Sequence, residues 1–276
     1  MMRRLWIVAV AAIAMAALFA GFGFWNARGD PVVHRASIAL PRWPAGAPPV
    51  TVALISDVHA GGAAMDAARL ARIAERIAVL KPDLVLIAGD FVSGHAPGSA
   101  AAVAPALTHA LARIHPPLGT IAVLGNHDHW TGAAAVRGAL NRAGVTVLVN
   151  EAVVRGPLAI GGIDDEYTGH DRLPETLAQL RRLPGARVMV SHSPDIAPAL
   201  PGDVALLFAG HTHCGQIVLP LWGAIAVPSA YGSRYLCGVI REGARATIVT
   251  GGLGTSLLPL RFGAPPDLWL VRLGPG

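Results

Sequence analysis

Nine residues able to hold metal ions, or to serve chemistry beside them, stand at the ends of five apolar runs in this chain: Asp57 and His59, Asp90, Asn126-His127-Asp128, His192, and His211 with His213. Carboxylate, imidazole and amide-oxygen donors together suit divalent ions such as Mn²⁺, Fe or Zn²⁺, and the lack of a Cys pair with zinc-site spacing argues against a structural zinc. The collection is a metal inventory rather than a serine or cysteine triad. Two ions held roughly 3.5–4 Å apart can share a hydroxide, bring its pKa toward neutrality and neutralise phosphoryl oxygens during in-line displacement. That arrangement needs a bridging carboxylate, and Asp90, with two oxygens to offer, is the candidate. Asp57 and His59 are separated by one residue, as are His211 and His213, so on extended backbone each pair can turn to one face and grip one ion.

Each piece alone has an ordinary structural role. Asp57 and Asp90 close apolar runs ahead of a loop and helix, where N-caps are found. Asn126 after Gly125 suits a turn, and a single histidine such as His192 is more often a surface or hydrogen-bonded core residue than a ligand. Their joint occurrence, each at the end of an apolar run, is what separates the metal site from these roles.

The elements that must position them alternate along the chain. Residues 50–55 form a β-rich run, and 66–80 have helical spacing. Strands are expected at 83–88 and 120–124, with helices at 100–114 and 133–142 between and after them. Further strands fall near 145–149, 158–163, 187–190 and 204–208, with a helix near 173–183. Beyond Cys214, short apolar runs broken by Gly and Pro suggest antiparallel strands with tight turns. Such alternation implies an α/β protein whose strands feed polar loops at one edge, where open sheets place their ligand sites.

The segments Asp57-Val58-His59, Gly89-Asp90, Gly125-Asn126-His127-Asp128, His192 and Gly210-His211-Thr212-His213 together resemble the calcineurin-like metallophosphoesterase superfamily, over residues 50–272. The resemblance implies one metal held by Asp57, His59, Asp90 and His213, and a second held by Asp90, Asn126, His192 and His211. It implies His127 beside the phosphate as general acid or oxyanion stabiliser, with Asp128 orienting its imidazole. Residues 211–220, 227–235 and 252–262 further resemble the YaeI-type branch of membrane-associated phosphodiesterases. Cys214 lies where many relatives carry glycine, and would crowd the site or add a thiol near it. The fold implied is a four-layer αββα sandwich of two mixed β-sheets flanked by helices. Trp130, just after the His127 motif, and Arg234, in a stretch with Ser229, Tyr231 and Ser233, are candidate substrate contacts.

Composition bounds the rest. With 276 residues and 53% hydrophobic content the chain can close a sizeable core, and charged residues at 14% with mean hydropathy of +0.50 set disorder aside. The net charge of +5 would suit an anionic partner, but the basic residues are scattered single arginines, with Lys81 the only lysine. No basic run or aromatic stacking series points to a specific nucleic acid, and no protein partner is implied. Cys214 and Cys237 form no framework, and a single pair is consistent with a bonded or a free state.

Arg3 and Arg4 precede an uncharged block over residues 5–25, which as a helix spans about 30 Å, the thickness of a bilayer's hydrocarbon. Residues 1–27 are therefore expected as a transmembrane anchor, or alternatively a cleaved signal, with twin-arginine export also open; Phe24-Trp25 suit an interfacial belt. Positive residues on the short side place the remainder across the membrane, extracytoplasmic or exported after cleavage. Residues 28–48, with Pro41, Pro44 and Pro48, are expected as a Pro/Gly/Ala-rich linker, and 49–273 as the catalytic domain. The function these readings imply is metal-dependent phosphoester hydrolysis, a phosphodiesterase first of all, with two divalent ions and lipid-linked or membrane-proximal substrates in reach. The alternatives are a nuclease using the same two-metal site and a non-catalytic scaffold of the same fold.

Overall fold

The strands nearest the predicted metal site are apolar on both faces, which suits strands covered on each side. In the computed structural model, which describes residues 2–276, Val52 and Leu54 of β2 (Val50–Ile55) face one way, Ala53 and Ile55 the other, and all four are buried. β3 (Leu84–Ala88), β4 (Thr120–Val123) and β5 (Val145–Val147) follow β2 in parallel, with β1 (Val32–Leu40) and β14 (Asp267–Pro275) on its other side. The order β1-β14-β2-β3-β4-β5 is mixed, because β14 runs antiparallel to β2.

A second six-stranded sheet has the order β12-β13-β9-β8-β7-β6, made of β6 (Glu151–Arg155), β7 (Leu158–Gly162), β8 (Ala186–Val190), β9 (Leu206–Ala209), β12 (Gly238–Glu242) and β13 (Arg245–Val249). Between β9 and β12 the small hairpin β10 (Val218–Leu219) and β11 (Gly223–Ala224) stands apart. The two large sheets meet through Leu54, Leu86, Val123, Ile160, Val190 and Phe208, and each such buried side chain contributes about 1.5–3 kcal/mol relative to exposure.

Helices cover the outer faces. α2 (Ala67–Val79) starts at Asp66, whose carboxylate accepts from the Arg69 N–H, and presents Leu70, Ile73 and Ile77 inward. α3 (Ala100–Leu111) and α5 (Ala133–Arg142) complete that layer, while α6 (Leu173–Arg182) covers the second sheet with Leu177 and Leu180. The short helix α4 (Asn126–Thr131) leaves β4 directly. The layering is αββα, as the family resemblance implies, preceded by the apolar helix α1 (Met2–Ala27).

Residues 28–48 depart from the expected linker. Val32–Leu40 forms strand β1, which pairs in parallel with β14 over nine positions from Val32 with Asp267 to Leu40 with Pro275. Pro41, Pro44 and Pro48 all lie after the strand, so the proline density that suggests irregular chain applies only to its second half. Ile38 and Leu40 are buried between the sheets, so this stretch belongs to the folded body rather than connecting to it. β6 is a further strand that lies outside the expected set, its apolar run cut short by charged Glu151 and Arg155 at its two ends.

Candidate metal centre

The C-terminal ends of β2, β3, β4, β8 and β9 converge at one edge of the sandwich and deliver all seven expected ligands, each buried. The backbone there is held in unusual shapes. Asp57, His59, Asp90, His211 and His213 all have φ between 47° and 69°, a left-handed region that costs L-residues on the order of 1–3 kcal/mol and clusters at functional sites. Two glycines make the closeness possible: a Cβ at Gly125 would overlap the Asp90 carboxylate and the His192 ring, and one at Gly210 would overlap Ser56 and Asp57.

Donor atoms gather in two groups around one oxygen. On the first side, His59 Nε2 lies 3.2 Å from His213 Nε2, and Asp57 Oδ1 lies 3.3 Å from His213 Nε2. On the second, His192 Nε2 lies 3.0 Å from both Asn126 Oδ1 and His211 Nδ1. Asp90 Oδ2 sits between them, 3.6 Å from His59 Nε2 and 3.3 Å from His192 Nε2. Its other oxygen, Oδ1, accepts from the His127 N–H at 2.9 Å. Asp90 Oδ2 therefore stands between the two groups while Oδ1 is engaged by backbone.

Three of the histidine donors are prepared electrostatically for cations. Burial lowers the His59 and His211 pKa to about 3 and puts His213 well below its ordinary value, helped by His59 and Arg261 beside it, so these rings are neutral and carry lone pairs. His192 Nδ1 donates to the Ala88 carbonyl at 2.7 Å, which leaves Nε2 turned to the centre. Burial raises Asp57 to about 6; Asp90 is also buried, yet the adjacent His192 holds it well below the usual carboxylate range. Asp57 Oδ2 accepts from Ser56 Oγ and from the His211 N–H, whereas buried Oδ1 has no hydrogen-bond partner. A buried carboxylate oxygen without a donor is costly, and a divalent cation held by the Asp57–His59–His213 group would satisfy it. The donor set thus fits hard-to-borderline divalent ions on both sides of Asp90.

His127 lies beside this centre as expected. Its Nδ1 donates to the Gly94 carbonyl at 2.8 Å, and its Nε2 faces the cavity, 3.4 Å from Ser256 Oγ. Asp128 does not orient it. The Asp128 carboxylate accepts from the Phe91, Val92 and Gly125 N–H groups at 2.8, 3.3 and 3.0 Å, capping α4 and pinning the loop after Asp90. Consecutive residues on a helix diverge by about 100°, so Asp128 and His127 cannot share a direction. Burial, then Asp90, raises Asp128 to about 7.

The cavity over the centre encloses about 240 Å³. Trp130 lines it, its ring 4.9 Å from that of His127. Arg234 does not reach it; its guanidinium bonds Glu242 and lies 5.1 Å from the Tyr235 ring centre. Sequence reasoning missed Tyr167, whose ring stands 4.9 Å from His211 and which has no local motif, and gave no site role to Ser256, although the 252–262 stretch that carries it resembles the family. Arg261 is a further omission: fully buried, it donates to the Gly254 and Ala264 carbonyls and stiffens the loop behind His213. Cys214 brings no free thiol to the centre, because it is disulfide-bonded to Cys237.

The model of the calcineurin-like phosphoesterase family matches residues 50–215. YkuE of Bacillus subtilis, described as an uncharacterized metallophosphoesterase, is 33% identical over 204 residues, which cover 70% of this chain and 68% of YkuE. The Escherichia coli phosphodiesterase YaeI is 33% identical over 203 residues, covering 70% of this chain and 71% of YaeI. A transmembrane protein with metallophosphoesterase domain from Danio rerio is 29% identical over 284 residues; the match takes in 96% of this chain and 62% of the fish protein. Among solved structures, the Pseudomonas putida nuclease MPE superposes with a TM-score of 0.37 and 22% identity, over 79% of this chain and 86% of that one.

Proposed function

We propose, from the premise that this chain belongs to the calcineurin-like phosphoesterase family, that it is a phosphodiesterase working with two divalent cations. Asp57, His59, Asp90 and His213 would hold one and Asp90, Asn126, His192 and His211 the other, as Mn²⁺, Fe or Zn²⁺. Such a pair supplies Lewis acidity, neutralising phosphoryl charge and acidifying water. The observation that carries the reading is the gathering of six donor atoms on two sides of Asp90 Oδ2.

The residues supply the remainder. Asp90 keeps its orientation through the His127 N–H, and the neutral rings of His59, His211 and His213 point lone pairs inward. With Nδ1–H committed to Gly94, the imidazolium form of His127 carries its second proton on Nε2, the atom that faces the cavity. From there it stabilises a phosphoryl oxygen or protonates the leaving alkoxide. Trp130 walls one side of the cavity. The name of the Escherichia coli relative supports a diester as substrate. The charge asymmetry about α1, with Arg3 and Arg4 ahead of the apolar block, supports a catalytic body on the extracytoplasmic side, near membrane-borne substrates.

Purified full-length protein loaded with Mn²⁺ is expected to bind two metal equivalents and to hydrolyse bis-p-nitrophenyl phosphate. Asp90→Ala should remove both properties. Hydrolysis that survives the substitution would count against the site.

A further inference from the structure

Beside the metal centre lies a second cavity of about 400 Å³, lined mainly by apolar groups that include Ile217, Ile225, Val227 and Leu258. It shares His213, Pro228, Ser256 and Leu257 with the cavity over the centre, so the two adjoin along one wall. The hairpin and the loop that supply its walls are unusually apolar for a water-facing surface. Leu221 and Trp222 at the tip of the β10–β11 hairpin are 105% and 86% exposed, and Leu257 is 87% exposed on the facing loop. Leu221 and Leu257 both sit at positive φ, 68° and 57°, so each tip is strained backbone that projects a leucine outward.

Both tips are braced to α1. Gln216 donates to the Ser256 and Leu258 carbonyls and accepts from the Ser256 N–H, which ties the 257–258 loop to the root of the hairpin. Ile217 bridges Phe262, and the Phe262 ring stacks on Phe19 of α1 with centres 3.8 Å apart. The Arg261 N–H donates to the Gly23 carbonyl one turn further along. Phe19 precedes the end of α1 by eight residues, or about 12 Å of helix rise. With the 5–25 block in a bilayer, Phe19 is six residues, about 9 Å, inside its C-terminal end, so Phe262 dips into the hydrocarbon and draws the two apolar tips braced to it to the membrane surface.

We propose that the Leu221–Trp222 tip, the Leu257–Leu258 loop and the groove between them form a lipid-facing entrance. It seats the hydrocarbon chain of a membrane-borne phosphoester while the phosphate reaches the centre on its His213 side. This rests on the phosphoesterase reading and adds to it the substrate class, an amphiphile taken from the bilayer edge-on. Hydrolysis joins a water oxygen to phosphorus and releases the alcohol with one proton, so no other reactant is required.

The test uses the full chain in nanodiscs with Mn²⁺ and two probes, the p-nitrophenyl phosphodiesters of methanol and of 1-decanol. The decyl ester is expected to show kcat/KM about tenfold or more above the methyl ester, since each buried methylene adds affinity. Ile225→Asp, in the groove wall away from the metal donors, should bring that ratio to within about twofold of unity. If the native chain hydrolyses the methyl ester but treats both esters alike, the groove assignment is wrong and the phosphoesterase reading stands. A decyl preference that is unchanged in Ile225→Asp reflects partition into the nanodisc and also overturns the groove. Faster turnover of an oligonucleotide than of the decyl ester overturns the lipid class. Should neither ester be hydrolysed, the phosphoesterase reading fails and this proposal with it.

Discussion

His59 Nε2 and His213 Nε2 face each other at 3.2 Å, in a pocket whose burial keeps both rings neutral. Two imidazole nitrogens this close, with the orphaned Asp57 Oδ1 nearby, are a cation position written in donor atoms. Dialysis against a chelator is therefore expected to abolish phosphoester hydrolysis, and Mn²⁺ to restore it. His213→Gln should lower kcat/KM at least about 100-fold, the upper end of what even outer partners of a metal site cost when lost. Steady-state kinetics with metal analysis decides the matter.

Gly125 has extended backbone, so alanine there brings no conformational strain, only a methyl group pressed on Asp90 and His192. Gly125→Ala should destabilise the fold by about 1–3 kcal/mol through overpacking and weaken metal binding further by displacing Asp90. Denaturant unfolding and metal titration read the two effects separately.

Asp128 separates two roles by mutation. As a cap for three N–H groups, its loss should cost about 1–2 kcal/mol of stability, with only a modest fall in turnover. His127→Ala should do the reverse, sparing stability and cutting kcat. Equal losses of kcat in Asp128→Ala and His127→Ala would restore the view that Asp128 orients the ring.

His34 joins β1 to Asp267 at the start of β14, its Nε2 3.4 Å from the buried carboxylate. The hydrogen bond to Asp267 raises the His34 pKa above its ordinary 6.5, with burial opposing. Because the folded value is the higher one, this pair's contribution is fully present below about pH 6.5 and is lost as pH rises through the folded pKa. The thermal midpoint of the native protein should exceed that of His34→Gln on the acidic side, and the gap should close in mildly alkaline buffer.

The Cys214–Cys237 bond spans 23 residues of sequence and encloses the β10–β11 hairpin. Removing it by Cys237→Ser is expected to cost about 2–4 kcal/mol of unfolding free energy. It should also raise the apparent Kd for metal, because Cys214 adjoins His213. Isothermal titration of the variant with Mn²⁺ tests the second effect.

Much of the site was legible because its ligands sit at strand ends, where an apolar run stopping at a polar donor is a local signal. Asp57, Asp90, Asn126, His192, His211 and His213 all belong to such ends. What stayed hidden depends on directions in space. That Asp90 has one oxygen engaged by backbone follows from the His127 N–H behind it, and that Asp128 faces backward follows from the first turn of α4. Tyr167 and Ser256 reach the cavity from loops whose local sequence carries no metal-site pattern. Strand β1 escaped because Pro41, Pro44, Pro48 and Pro49 outweigh the alternation of Ile38 and Leu40, although these four follow the strand. The disulfide also needed three dimensions, since one cysteine pair carries no spacing rule.

The pairing of β1 with β14 bears on how far the active edge can wander. Were residues 28–48 a slack tether, the enzyme would swing like a buoy and meet substrates at varied heights above the lipid. Because the chain enters the sheet five residues after α1 ends, the body is held at a set height and tilt. Trimming the protein back to residue 48 would strip a strand from the sheet and leave β14 as a bare, sticky margin.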